Sequence, residues 1–145
     1  MLEVFEQVGV LRAETLEELL DVAALLPSQP LPRGRRVALL TNAGGLGILC
    51  ADACDSAGLE LVSLSDETVS ALVEVLPVEA STANPVDLLG SATAATYEAA
   101  LRLLLADPRV DAAIVLFVPP VSAGADGVAE AVARAAAGAD KPWPS

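Results

Sequence analysis

Three glycines stand within four residues at the end of an apolar run, in the stretch "TNAGGLG" (residues 41–47). Glycine has no Cβ, so the backbone can approach a ligand closely. A helical pattern starts here, and the first turn of a helix presents unpaired N–H groups at the positive end of its dipole. Together these features favour a phosphate or a carboxylate. The predicted phosphate-binding residues are Asn42, Ala43, Gly44, Gly45 and Gly47.

The spacing of these glycines matches neither the dinucleotide-binding fingerprint nor the P-loop. A tight turn that needs glycine only for packing therefore stays open as the alternative. The basic stretch "RGRR" (residues 33–36) precedes the apolar run. Six strand residues at about 3.3 Å each place it roughly 20 Å from the glycines. We interpret it as a solvated edge of the sheet and not as a phosphate clamp.

A second loop, "ANPVDLLG" (residues 83–90), is expected at the same edge of the sheet. Ligands of open α/β sheets bind beyond the carboxyl ends of the strands. Asn84, Asp87 and Gly90 are therefore predicted to line a crevice beside the glycines. Asp87 either braces its loop or meets a magnesium ion or a substrate group.

Composition excludes several classes of function. The 145 residues carry a net charge of -12, which argues against nucleic-acid binding and against docking on an anionic membrane. No apolar run is long enough to span a bilayer. There is no histidine, the commonest general base and metal ligand. We therefore predict no catalytic residue and no metal site in this chain, and a cytoplasmic location.

The two cysteines fall on a helical stripe that we interpret as the buried face of an amphipathic helix. Free cysteine packs as a small apolar residue, so plain core thiols are expected. The stripe consists of Leu46, Leu49, Cys50, Ala53, Cys54 and Ala57.

Apolar runs alternate with helical patterns from Arg35 onward, which predicts right-handed crossovers and a parallel sheet. The expected fold is a flavodoxin-like, doubly wound α/β/α sandwich with an N-terminal helical arm. Predicted strands lie in "RVALLT", "LELV", "ANPVDLLG" and "VDAAIVLFV". Predicted helices cover residues 2–8, 16–26, 45–57, 66–76 and 94–106, with a last helix ending near residue 137.

Residues 1–34 are predicted to form the arm and a proline-rich linker, and residues 35–145 the flavodoxin-like domain. Thr15 and Glu18 form a capping box, and Pro27, Pro30 and Pro32 are expected to end its helix. A further strand is due after the last helix, so we expect a domain truncated before that strand. Its uncovered edge predicts self-association.

The sequence resembles the succinyl-CoA-synthetase-like domain of NDP-forming acyl-CoA synthetases in three stretches. These are "RVALLTNAGGLGILCADACDSAGLEL", "ANPVDLLGSAT" and "DPRVDAAIVLFVPP". The resemblance implies a reaction of acyl-CoA, ADP and phosphate to acid, CoA and ATP, with a phosphohistidine on a preceding domain. It implies CoA-binding, phosphohistidine and ATP-grasp domains as partners, and CoA, ADP or ATP and magnesium for the full enzyme. No cofactor is implied for this chain, which is expected to be inactive alone. The helix after "TNA" would point its N-terminus at the phosphohistidine loop.

Two other functions remain open at this point. The same module is fused to an acetyltransferase domain in some protein acetyltransferases, where its role would be regulatory. A free-standing flavin-binding module is a further alternative, although aromatic residues, on which flavin rings commonly stack, make up only 3% of the chain.

Overall fold

The structure is a computed structural model that describes residues 11, 13–119, 127–137, 139 and 141. The chain divides into two compact units, Met1–Pro30 and Leu31–Ser145. The described helices are α1 (Leu16–Ser28), α2 (Gly44–Ser56), α3 (Asp66–Val75), α4 (Ala94–Ala106) and α5 (Val128–Ala136). The described strands are β1 (Arg36–Thr41), β2 (Glu60–Leu61), β3 (Val86–Asp87) and β4 (Ala112–Val115).

The first unit contains α1, and its predicted capping box is confirmed in part, since the Glu18 carboxylate accepts from the Glu14 N–H at 2.7 Å. The Thr15 hydroxyl accepts a hydrogen bond from the Glu18 N–H at 3.1 Å. The expectation that Pro27 ends the helix is wrong, because α1 continues to Ser28. Pro27 lies in the last turn, and the Ser28 hydroxyl donates to the Ala24 carbonyl there. The predicted helix over residues 2–8 lies outside the described residues.

In the second unit, β1 is the central strand, and the predicted parallel sheet is confirmed. Strands β2 and β3 pair with the same edge of β1, one beside its start and the other beside its end. Strand β4 pairs in parallel with the opposite edge. An apolar strand with neighbours on both edges is typical of a sheet covered on both faces.

Side chains of β1 alternate between two apolar layers, as the pleat of a strand requires. Ala38 and Leu40 belong to the larger cluster, with residues of α3, α4 and α5. Val37 and Leu39 belong to a smaller cluster, with Cys54 of α2. Among the described helices of this unit, α2 therefore covers one face and the other three cover the opposite face. The arrangement confirms the predicted three-layer α/β/α architecture.

The predicted buried stripe of α2 is wrong at Leu46, Leu49, Ala53 and Ala57, which are exposed, whereas the predicted core thiols are confirmed, with Cys54 buried and Cys50 partly buried against the smaller cluster. Leu46 is 40% exposed and Leu49 is 66% exposed, whereas Gly47 and Cys54 are buried. The first half of α2 is apolar on several sides, so periodicity alone does not select the inward face. Close packing selects it, because a Cβ on Gly47 would lie 3.1 Å from Cγ2 of Thr41.

An ion pair joins β1 to the residue before β4 at the amino-terminal end of these strands. Two nitrogens of the Arg36 guanidinium donate to the Asp111 carboxylate at 2.8 and 2.9 Å, and the Arg36 N–H donates to it at 3.0 Å. These hydrogen bonds lower the pKa of Asp111 to about 2. Arg36 therefore connects β1 to the start of β4, at the edge opposite to α2's first turn.

Candidate functional site

The predicted glycine turn is the first turn of α2. The helix begins at Gly44, one residue earlier than predicted, so all three glycines are helical. The described glycines with positive φ are Gly58 and Gly127, and neither belongs to this site. The connection from β1 is short, and the Thr41 hydroxyl accepts a hydrogen bond from the Ala43 N–H at 3.0 Å within it.

The first turn of α2 has open hydrogen-bond donors. The N–H of Gly47 donates to the Ala43 carbonyl at 3.0 Å and so starts the helical pattern. Within the described part of the chain, the N–H groups of Gly44, Gly45 and Leu46 have no acceptor, and Ala43 offers no side-chain cap. A Cβ on Gly45 would meet nothing within 4 Å. This turn therefore presents an accessible, partly positive helix N-terminus.

Asp87 lies beside this turn. One of its carboxylate oxygens accepts a hydrogen bond from the Leu89 N–H at 2.9 Å, and Leu89 has a φ of 66°. The other oxygen lies 2.7 Å from the position that a Cβ would occupy on Gly44. The pKa of the nearby Tyr97 is raised, mainly by burial and to a smaller extent by the Asp87 charge. A negative charge thus stands next to the open N–H groups, and it opposes the binding of a free anion.

Asn42 is buried and pairs with the backbone beyond β4. Its amide nitrogen donates to the Val118 carbonyl at 2.8 Å, and its amide oxygen accepts from the Val118 N–H at 2.9 Å. The side chain therefore extends the pairing of β1 with β4 past the end of both strands. The sequence predicted Asn42 as a phosphate-binding residue, but its side chain joins two segments that are 76 residues apart.

Asn84 fills a gap in the sheet. Its amide oxygen accepts from the Leu39 N–H at 2.9 Å, and its amide nitrogen donates to the carbonyls of Val37 at 2.8 Å and Val62 at 2.9 Å. This amide occupies the stretch of β1's edge between β2 and β3. Its polar atoms thus face the sheet backbone, a role that sequence reasoning missed because no local motif signals it.

Gly90 lies in the turn after β3 and is exposed. A Cβ there would meet nothing within 4 Å. The structure therefore brings the first turn of α2 close to Asp87. The side chains of Asn42 and Asn84 are hydrogen-bonded to backbone groups elsewhere. Gly90 is exposed and contacts none of them. The role of each in binding a ligand stays a prediction.

The described residues provide little reactive chemistry at this site. They contain no group of three or more histidine, cysteine or acidic side chains that could hold a metal ion. Burial raises the pKa of the Cys54 thiol, which disfavours the reactive thiolate. A cavity of about 460 Å³ lies elsewhere, between α3 and α4, and is lined by residues such as Thr68 and Leu103. The first turn of α2 can hold an anion but supplies no acid or base.

Among the helices that the structure describes, none has the length and apolarity needed to cross a lipid bilayer.

A parallel α/β sandwich with an open helix N-terminus at the carboxyl edge of its sheet defines a flavodoxin-like domain. The sequence profile of the Ligase-CoA domain matches residues 37–143. The chain therefore belongs to the Ligase-CoA domain family, and its resemblance to NDP-forming acyl-CoA synthetases is confirmed.

Known relatives extend well beyond this chain. The α subunit of ADP-forming acetate–CoA ligase II from Pyrococcus furiosus is 45% identical over 134 residues, which cover 88% of this chain and 29% of that subunit. A crystal structure of a Pyrococcus horikoshii protein has a TM-score of 0.89 and 43% identity, covering 97% of this chain and 33% of its own. The structure of Candidatus Korarchaeum cryptofilum acetyl-coenzyme A synthetase 1 with phosphate and ADP has a TM-score of 0.87 and 31% identity, covering 97% and 31%. The chain thus spans about a third or less of each.

Proposed function

We propose that this chain is the domain of an ADP-forming acyl-CoA synthetase that receives a phosphorylated histidine from another domain. The observation that carries the proposal is the open first turn of α2, where the N–H groups of Gly44, Gly45 and Leu46 have no acceptor in the described structure. Backbone donors stabilise the charge of a phosphoryl group without reacting with it. The named ADP-forming relatives support the assignment to a ligase.

The proposed division of labour follows from what this chain contains. It has no histidine, so the phosphoryl carrier must belong to another domain. CoA-binding and ATP-grasp domains would hold CoA, ADP or ATP and magnesium. The first turn of α2 would then face the phosphohistidine loop and offset the negative charge of its phosphoryl group. This chain contributes binding and orientation to the reaction, not a reacting side chain.

Energetics favour a delivered phosphoryl group over free phosphate. A helix N-terminus contributes about 0.3–1 kcal/mol towards an exposed anion and up to about 2 kcal/mol towards a partly buried one. Millimolar affinity already requires about 4 kcal/mol. The Asp87 carboxylate and the net charge of -12 both oppose free phosphate. A histidine loop attached to the same enzyme overcomes this weakness, because tethering raises its effective concentration.

The assay that tests the ligase assignment compares the chain with an intact protein that contains it. With acyl-CoA, ADP and phosphate, we expect ATP from the intact protein and none from the chain alone. ATP formation by the chain alone would contradict the division of labour. An intact protein that transfers acetyl groups and forms no ATP would instead identify the acetyltransferase fusion. Substitution of Gly45 then tests the role of the first turn separately.

A further inference from the structure

Helix α2 carries two thiols on one face. Cys50 and Cys54 lie four residues apart, and residues at this spacing are neighbours on a helix, with Cβ atoms about 5–6 Å apart. Cys54 is 4% exposed and belongs to the smaller apolar cluster, and the partly buried Cys50 packs against that cluster. The pKa of Cys54 is raised mainly by burial and to a smaller extent by the neighbouring Cys50. The two thiols therefore interact, and we call this pair the α2 dithiol.

The spacing of the α2 dithiol suits a bridge of one atom better than a disulfide. A disulfide brings its two Cβ atoms to about 3.5–4.5 Å from each other. Cβ atoms that start about 5–6 Å apart reach that distance only if the helix is distorted. A single atom between the two sulfurs lengthens the bridge by one bond, so it joins the thiols with less movement of α2.

The surroundings of the α2 dithiol determine which kind of atom can form that bridge. Structural zinc requires four ligands, and the described residues contain no group of three or more histidine, cysteine or acidic side chains that could hold a metal ion. Cys54 shares its cluster with apolar side chains such as Val37 and Leu39, and an apolar site disfavours a net charge. Two thiolates around copper(I), a soft cation that thiolates select, carry a net negative charge. Trivalent arsenic instead bonds covalently to two thiols, keeps a third substituent and stays neutral.

We propose that the α2 dithiol is a chelating site for trivalent arsenic, in which one arsenic atom bridges the sulfurs of Cys50 and Cys54. In the reaction with arsenous acid, two As–O bonds and two S–H bonds break, and two As–S bonds form. Each thiol proton leaves with a hydroxide as water, and neither arsenic nor sulfur changes its oxidation state. Cys50 reacts first because it is the more exposed thiol, and Cys54 then closes the ring within the same molecule.

Mass spectrometry of the chain with phenylarsine oxide tests the proposal. The probe exchanges its oxo group for the two sulfurs and releases one water molecule. We expect a single phenylarsenic group on the native chain, retained in an excess of the monothiol glutathione and removed by the dithiol ethanedithiol. Retention depends on chelation, since linking two contacts strengthens binding by about 100-fold or more. A native chain that binds no phenylarsenic group, or that loses it to glutathione, overturns the proposal.

Three variants test whether both thiols are needed at this spacing. Cys50→Ser and Cys54→Ser each leave one thiol, so both should lose the group at about 100-fold less glutathione than the native chain does. Cys50→Ser combined with Ala53→Cys keeps two thiols but places them at adjacent positions, which do not face each other on a helix. This matched control should behave as the single-thiol variants do.

Retention equal to that of the native chain, in any of these variants, contradicts chelation by Cys50 and Cys54. Circular dichroism checks that each variant keeps its helices. Cys50→Ser replaces the more exposed thiol, so it tests the pairing even where Cys54→Ser disturbs the core.

Peroxide treatment without arsenic tests the geometric argument. The spacing predicts that the folded chain forms little disulfide between Cys50 and Cys54, whereas the chain unfolded in urea forms it readily. Peptide mapping identifies the bond. A disulfide that forms as readily in the folded chain as in urea contradicts the preference for a bridge of one atom.

Discussion

A carboxylate oxygen of Asp87 lies 2.7 Å from the position that a Cβ would occupy on Gly44. The contact joins the end of β3 to the first turn of α2, and only a residue without a Cβ leaves room for it. Glycine at position 44 is therefore explained by close packing of a side chain. Glycine at position 45 has no such neighbour, since a Cβ there would meet nothing within 4 Å. Packing therefore accounts for Gly44, whereas no close neighbour accounts for Gly45.

Alanine at position 45 should stabilise the domain more than alanine at position 44 does. Glycine within a helix costs about 0.5–1 kcal/mol relative to alanine, so Gly45→Ala should raise the free energy of unfolding by up to that amount. Gly44→Ala has the same gain in helix propensity, but it must displace Asp87 and weaken its hydrogen bond with Leu89, which offsets the gain by about 0.5–1.5 kcal/mol. Urea denaturation measures both variants. Equal stability of the two would mean that the Asp87 contact constrains nothing.

Free phosphate should bind the isolated chain only in the tens-of-millimolar range or more weakly, since a helix N-terminus supplies about 2 kcal/mol at most. Asp87→Asn removes the negative charge beside Gly44 and keeps an oxygen for the Leu89 N–H. Two unit charges about 4 Å apart in water repel by about 1 kcal/mol. We therefore predict that Asp87→Asn tightens phosphate binding about fivefold. Phosphorus NMR titration measures both affinities, and weaker binding by the variant would contradict the prediction.

Asn84→Ala should destabilise the sheet strongly. The substitution leaves the Leu39 N–H and the Val62 carbonyl without the partner that Asn84 provides, whereas the Val37 carbonyl still accepts from the Val62 N–H. Each buried unpaired group costs about 1–3 kcal/mol. We predict a loss of about 2–4 kcal/mol in the free energy of unfolding. Hydrogen exchange should show faster exchange at Leu39 in particular. Asn42→Ala, which removes two hydrogen bonds with Val118, is the comparison and should leave the Leu39 N–H protected.

Stability at acid pH should depend on Asp111. Hydrogen bonds from Arg36 lower the pKa of Asp111 to about 2, below the unfolded value of about 3.9. A lowered pKa contributes stability above the unfolded value, and that contribution is lost as the pH falls towards the folded one. The native chain should therefore lose stability between about pH 4 and pH 2, and Asp111→Asn should lose less over that range. Identical pH profiles would show that the ion pair has no linkage to folding.

Local sequence signals predicted most of the fold. The buried run at β1 and the cap at Thr15 were sufficient, because each depends on residues only a few positions apart. The inward face of α2 was not predictable in this way. Apolar residues surround its first turns, and the face is chosen by the packing of Gly47 against Thr41.

The candidate site was predictable in its location but not in its internal contacts. The end of β1 and the glycines that follow it indicated the right edge of the sheet. The pairing of Asn42 with Val118, and the position of Asn84 between β2 and β3, join residues far apart in sequence. No local pattern indicates such contacts, so the sequence led to Asn42 being assigned to the phosphate site and Asn84 to the crevice.

The rate of histidine phosphorylation in an intact ligase that contains this domain tests the central claim most directly. Gly45→Ala and Gly45→Val add increasing bulk at an open, helical position, so both variants should fold. Gly90→Ala is the control, since it adds a Cβ at another open position. We predict that phosphorylation slows from native to Gly45→Ala to Gly45→Val, while Gly90→Ala behaves as the native enzyme. Unchanged phosphorylation in a folded Gly45→Val variant would contradict the claim that the first turn of α2 receives the phosphohistidine.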